Sequence, residues 1–464
     1  MIRDAEVTEN GIRLPPEVLG AVLTSKHMFR LIRQGVAVFV LVTYQGIAHG
    51  QSGPPSHGEN TMTAQEKNRP LVIGKTEIST DVDWVYHVAW SPDSKHFAAL
   101  GAKGSGDHTV YSVVVYDSTS RRAIQMLPIK RPGSISGDIA FSPDGKYLAA
   151  GIGVIALWET HTWQPVREIK GPYERGIVSG GVQSLAFSPD GRSLAVLYES
   201  VTWPETVTIA TKEEGAAWVN KETASKKDGT YWEKLARGEI LSHVSTIMVF
   251  DVETAKRTAV QAGIRPTAER AGRFTGNLAY TPNGTSLLAS RVEHHHVKPG
   301  DHSPRIRTFL EVRDPRSGQI VKEIEGVHVM HITAVAVSPD GRFAATGTET
   351  LTKISTLNQP LIDNRDPVRL WDLSTGQLVK EYGPLRGGVK ALRFSPNGKV
   401  LVSCQNDLEN KETVWLWDVQ TAQLLERVRT PRSGHEFFGC AISANGRTVA
   451  APILNSIYLI DLQP

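Results

Sequence analysis

The chain has 464 residues, 40% of them hydrophobic and 21% charged, with 41 glycines, 26 prolines and two cysteines. That composition belongs to a globular protein with many tight turns and excludes a disordered, collagen-like or disulfide-framework chain. A net charge of +3 over this length gives no reason to expect nucleic acid, which demands a clustered basic face.

In chain order, residues 1–27 read as an N-terminal extension, dispensable or a start-site artefact. Met28 opens a segment, residues 28–50, laid out as a signal peptide or anchor. Lys26, Arg30 and Arg33 precede the apolar run Gly35 to Ala48, and cleavage is expected after Gly50. The run is 14 residues long, short of the ~20 that a spanning helix needs. An exported protein is therefore expected (periplasmic, envelope or extracellular), touching a membrane only through an uncleaved N-terminal anchor. A buried N-terminal helix in a cytoplasmic protein is the alternative. Residues 51–69 contain almost nothing that packs and read as a disordered linker.

From residue 70 onward a two-part phrase recurs. Its first part is Val88-Ala-Trp-Ser-Pro-Asp-Ser94, Ile139-Ala-Phe-Ser-Pro-Asp-Gly145, Leu185-Ala-Phe-Ser-Pro-Asp-Gly191, Leu278-Ala-Tyr-Thr-Pro-Asn-Gly284, Val335-Ala-Val-Ser-Pro-Asp-Gly341 and Leu392-Arg-Phe-Ser-Pro-Asn-Gly398. A decayed copy is Cys440-Ala-Ile-Ser-Ala-Asn-Gly446. The apolar residues predict a strand. Proline then sets φ at the first corner, Asp or Asn bonds its own backbone, and glycine takes the positive φ. The second part is a strand ending in an acid, as in Val113-Val-Val-Tyr-Asp117, Val368-Arg-Leu-Trp-Asp372 and Val414-Trp-Leu-Trp-Asp418. With a small-residue strand between the parts and a fourth strand after them, each unit is a four-stranded propeller blade.

Trp371-Asp372 and Trp417-Asp418 match the dipeptide for which the WD-repeat family is named. Residues 70–464 resemble that family, with Ser-Pro-Asp-Gly turns of bacterial style. The expected fold is all-β: a seven-bladed β-propeller of four-stranded antiparallel blades. The last unit supplies only three strands, so Pro70 to Ile78 is expected to close it as the N-terminal strand, which removes two open sheet edges. The family's Gly-His before the first strand survives only at Gly434-His435, which predicts an incomplete Asp-His-Ser/Thr-Trp hydrogen-bond network within the blades. Cys404 and Cys440 read as two small buried apolar residues, a disulfide between neighbouring blades being the alternative.

Nearly all length variation falls between the second and third strands, on one end of the disc, and such insertions often mark the binding face of repeat proteins. The largest, residues 199–245 in blade 3, carries Trp203, Trp218, Trp232 and Tyr231; aromatic side chains of this kind suit an interface or the insertion's own packing. Around the channel mouth on the same face the blade connections place Arg131, Arg175, Arg273, His328, His331, Arg386 and His435. They would favour an acidic peptide or anion. The run His294-His295-His296 with His302 does not have the converging geometry of a metal site. No phosphate loop, nucleophile elbow or zinc-protease motif occurs, so no catalytic residue, cofactor or metal is expected. The resemblance implies a non-catalytic scaffold for a protein or peptide partner. The rival reading is an exported propeller enzyme or small-ligand or metal binder using the channel mouth, with His328, His331 and His435 as its only candidate ligands.

Overall fold

Each Ser-Pro-Asp-Gly phrase closes its hairpin with one set of bonds. In blade 2, Ser142 Oγ donates to Asp144 Oδ1 (2.5 Å) and accepts from the Tyr147 amide (2.8 Å), while the Lys146 amide donates to the same Asp144 oxygen (3.0 Å). Gly145 completes the turn at φ +71°. Ser338, Asp340 and Phe343 repeat the arrangement in blade 5. The side chains at the turn therefore do locally what a longer loop would need tertiary contacts to do.

A computed structural model describes residues 6–8, 11–13, 71–104, 109–129, 137–152, 154–170, 181–201, 243–262, 270–295, 305–348, 366–385, 387–406, 412–430 and 439–463. The chain divides into two units, Met1–Lys67 and Asn68–Pro464. In the first, a short hairpin pairs Glu6–Thr8 with Gly11–Arg13. The expected extension, signal segment and linker otherwise lie outside the described residues.

The second unit is a ring of seven four-stranded antiparallel sheets. Blade 1 runs Trp84–Trp90, His96–Lys103, Val110–Asp117 and Ala123–Pro128. Blade 2 runs Asp138–Phe141, Tyr147–Gly151, Val154–Glu159 and Pro165–Lys170. Blade 3 is Val182–Phe187, Ser193–Val201, His243–Asp251 and Arg257–Ala262. Blade 4 is Arg270–Tyr280, Leu287–His295, Arg305–Arg313 and Ile320–Glu325. Blade 5 follows with Ile332–Val337, Phe343–Thr348, Val368–Asp372 and Leu378–Tyr382. Blade 6 has Gly388–Phe394, Val400–Asn406, Glu412–Asp418 and Leu424–Arg429.

Blade 7 takes Ala441–Ile442, Thr448–Ile453 and Ser456–Leu462 from the end of the chain, and its outer strand, Val72–Ser79, from the beginning. Val72 faces Leu462, Glu77 faces Tyr458 and Ile78 faces Ile457. The expected closure is thus present, its strand beginning two residues later and ending one residue later than the segment anticipated.

Strand alternation distributes each blade between two cores. In Tyr147–Gly151, Leu148 and Ala150 pack toward blade 1 and Ala149 toward blade 3. Seven apolar clusters result, one in each seam of the ring. Polar side chains on the inner strands tie several seams as well. The residue just before the phrase in one blade binds the next blade's first strand. Asp138 Oδ2 accepts the Leu185 amide (2.8 Å), Ser184 Oγ accepts the Leu278 amide (3.1 Å), and Asn277 Oδ1 accepts the Val335 amide (2.7 Å).

The cysteines depart from the reading as buried thiols. Cys404 and Cys440 are disulfide-bonded, with Cα atoms 6.4 Å apart. Cys404 lies in the second strand of blade 6 and Cys440 just before the first strand of blade 7, so strand register brings two residues distant in sequence together across one seam.

Candidate interaction face

In a four-stranded meander the second-to-third strand connection lies at the same end as the link to the next blade. The strand ends from which the variable insertions depart therefore share one face of the disc, opposite the Ser-Pro-Asp-Gly turns. Two blades rise above the rest there. The second and third strands of blades 3 and 4 are each 9 residues long, the longest such pairs in the ring, against 8 and 8 in blade 1 and 6 and 5 in blade 5. The strands take in both ends of segments expected as loops: residues 199–201 and 243–245 in blade 3, and Val292–His295 in blade 4. Val201 pairs with His243, and His295 with Arg305.

Blade 4 also begins earlier than expected. Arg273 is expected in the connection between blades, yet with Arg270 it belongs to an 11-residue first strand, in which Arg273 faces Val292. Gly276, at φ +66°, sits in the irregular stretch where the register shifts, so the strand continues past the bulge into the raised hairpin. This places the Arg273 Nη2 atom 3.4 Å from His331 Nδ1, across the seam to blade 5. These two are the expected site residues that the structure brings together. The others, Trp203, Trp218, Trp232, Tyr231, Arg131, Arg175, Arg386 and His435, lie outside the described residues, as do His296 and His302.

His328 is no rim residue. It is buried within blade 5, where its Nδ1 lies 3.0 Å from Asp366 Oδ2 and its Nε2 lies 2.8 Å from Thr346 Oγ1. Trp371 Nε1 donates to the same Thr346 hydroxyl at 3.0 Å. This is a complete Asp-His-Thr-Trp network, which corrects the expectation of an incomplete one for this blade. The histidine arrives after Gly326-Val327 rather than directly after a glycine. Blade 6 keeps the outer half of the arrangement, with Trp417 Nε1 donating to Ser403 Oγ at 2.9 Å.

Burial, resisted by the bond to Asp366, holds the His328 pKa below 6.5, so the ring is neutral in the fold. Burial works against the Asp366 charge, but the bond to His328 and the charge of Arg369 outweigh it and hold that carboxyl below 3.8. Below pH 6.5 the unfolded chain takes up a proton that the folded His328 refuses, so stability present above 6.5 is lost on acidification. Asp366 adds a further loss only as the pH falls through its own lowered value. His87, whose pKa burial also lowers, acts in the same sense as His328. The melting temperature is therefore expected to fall between pH 6.5 and 5, and less steeply in His328→Gln. Parallel slopes for the two proteins in calorimetry would refute the assignment.

A closed ring of seven equivalent four-stranded sheets defines a β-propeller. The family model described as "WD domain, G-beta repeat" matches residues 76–112 and 376–418. Together with the seven-bladed ring, these two matches support a WD-repeat β-propeller. Both matched spans start in or just before an outer strand and run into the next blade, so the closing strand Val72–Ser79 stands where a repeat begins. No curated protein matches the chain.

Sequence reasoning missed the polar residues that tie the inner strands, Asp138, Ser184 and Asn277. Their signal is positional: each immediately precedes the recurrent phrase. Among the described residues, no three His, Cys, Asp or Glu side chains gather as a metal site would need.

Proposed function

We propose that this propeller is a non-catalytic scaffold, working outside the cytoplasm, that engages a protein or peptide through the face bearing the second-to-third strand insertions. WD-repeat propellers commonly serve as interaction scaffolds, and a rigid disc with its variation gathered at one end suits that use. The observation carrying the reading is the raised pair of hairpins on blades 3 and 4, with Arg273 and His331 beside them. His328 is committed to its own blade and His331 lies against a guanidinium, which tells against two of the three ligands of the rival metal-binding mouth. The disulfide supports an oxidising compartment, where such bonds persist. N-terminal sequencing of the protein from its own cells tests the signal peptide: a chain still beginning at residue 1 would sink its cleavage.

Because Val201 and His243 are register partners, residues 202–242 can be replaced by Asn-Gly, a two-residue hairpin turn, with the blade retained. Partners cross-linked in the native host to the full chain are expected to be absent from the excised one. They are expected to persist for Lys146→Glu, a change on the turn face. An identical partner set after excision would refute the insertion as the binding element.

A further inference from the structure

We propose that the central channel binds a small organic carboxylate, with its charged end on the guanidinium of Arg393 and its apolar body along the channel wall. The first observation is a break in the ring's own repetition. At the second residue of the phrase, six blades carry alanine, namely Ala89, Ala140, Ala186, Ala279, Ala336 and Ala441, and blade 6 alone carries arginine, Arg393. The first strands of the blades surround a cavity of about 410 Å³, and Arg393 lines it together with five of those alanines. A long cation thus enters a passage that its neighbours keep open with methyl groups.

The second observation is what that cation lacks. A guanidinium offers five N–H donors. Among the described residues Arg393 makes one hydrogen bond, from Nη1 to the Leu392 carbonyl at 2.8 Å, and no carboxylate lies within ion-pair distance. Asp138 is the acid whose field reaches it, but both oxygens of Asp138 are engaged elsewhere. Oδ1 accepts the Ile139 amide at 2.8 Å and lies 3.3 Å from His87 Nδ1, while Oδ2 accepts the Leu185 amide at 2.8 Å. Burial opposes the Arg393 charge, and Asp138 offsets this only from a distance. A positive charge held between low-dielectric walls raises the local concentration of anions.

The channel chemistry selects among anions. Asn277 spends its amide on both backbone groups of Val335, and the Ser184 hydroxyl accepts the Leu278 amide. One guanidinium fork takes two oxygens of either a carboxylate or a phosphate, but a phosphate would leave its further charged oxygen without a second cation in the channel lining. The apolar surface left open is that of the half-buried Trp90, Phe141, Tyr280 and Val337, toward the turns. That surface suits an aliphatic or aromatic body. The cavity volume lies within the range of small-molecule pockets, roughly 300–1,000 Å³.

The repeat supplies its own control. Arg393→Ala installs the residue that the other six blades already have, and removing a half-buried charge without an ion-pair partner is expected to leave the melting temperature no lower than in the wild type. Titration calorimetry of the full chain with hexanoate, hexan-1-ol and inorganic phosphate tests the proposal. Hexanoate is expected to saturate one site on the wild type and to bind at least about tenfold more weakly to Arg393→Ala, about 1.4 kcal/mol. Hexan-1-ol and phosphate are expected to bind the wild type at least about tenfold more weakly than hexanoate. Equal hexanoate binding by the two proteins, no saturable binding at millimolar concentration, or a marked fall in the melting temperature of Arg393→Ala would each overturn it. Phosphate binding as tight as hexanoate would overturn the assignment to carboxylates.

Discussion

A chain beginning at Thr80, without the outer strand of blade 7, is expected to lose cooperative folding. Val72–Ser79 does more than add a ladder to Ser456–Leu462. Leu71 and Val72 pack on the core between blades 6 and 7, and Ile78 packs on the core between blades 7 and 1, so one strand seals both seams. Polar bonds fasten the same strand to three blades. The Val72 amide donates to Glu426 Oε2 in blade 6 (2.8 Å), Ser456 Oγ donates to Glu77 Oε1 within blade 7 (2.8 Å), and Arg121 of blade 1 bonds Thr76 Oγ1. Without the strand, the edge of Ser456–Leu462, almost wholly buried in the closed ring, would face solvent with its backbone groups unpaired. An open edge of this kind invites association. The loss is set against a total stability of about 5–15 kcal/mol for an ordinary domain. Size-exclusion chromatography and calorimetry are expected to show aggregates without a sharp unfolding transition. A monodisperse truncated protein melting within a few degrees of the full chain would show that the ring does not depend on this closure.

The closure was legible because counting strands is arithmetic on a repeat: the last unit is one short, and a strand-like segment precedes the first. The turn phrases and the seven blades were legible for a related reason, since Pro, Asp and Gly act through their own backbones and need no distant partner. What stayed hidden depends on register. Cys404 and Cys440 meet only because blade 6 and blade 7 pack side by side. His328 was read as a rim residue because the search was for glycine next to histidine, whereas Gly326 precedes it by two. The Arg270–Thr275 stretch reads as a polar connection, Arg-Ala-Gly-Arg-Phe-Thr, yet it pairs with Ser290 to His295 as a strand. Arg273 reaches across to His331 of blade 5, while the seam between blades 3 and 4 buries charges of its own.

That seam yields the second large effect. Glu311→Gln is expected to destabilise the protein by about 3–5 kcal/mol, the cost of breaking a buried ionic cluster from one side. Glu311 and Glu293 are fully buried, Arg291 is 5% exposed and Arg313 is 9% exposed. Glu311 holds both cations, accepting Arg291 Nε on one oxygen and Arg313 Nε on the other at 2.6 Å. Arg291 also pairs with Glu293 and with Glu323, the latter at 2.6 Å, and its guanidinium lies 4.1 Å from the centre of the Phe309 ring. Ala289 is the cross-strand partner of Glu311 and packs in the core between blades 3 and 4, so the cluster faces that seam. Loss of the Glu311 charge leaves Arg313 with the Gly318 carbonyl at 2.8 Å and the Phe274 ring as its remaining partners. The cluster stands at the foot of the raised hairpins, so the same change is expected to loosen the proposed binding face. The pair Glu311→Leu with Arg313→Leu separates interaction from burial: its denaturation midpoint should recover most of the loss, because both charges leave together. Chemical denaturation of the two variants beside the wild type decides it. A Glu311→Gln protein within about 1 kcal/mol of wild type would mean that water reaches the cluster and screens it as it does an exposed pair.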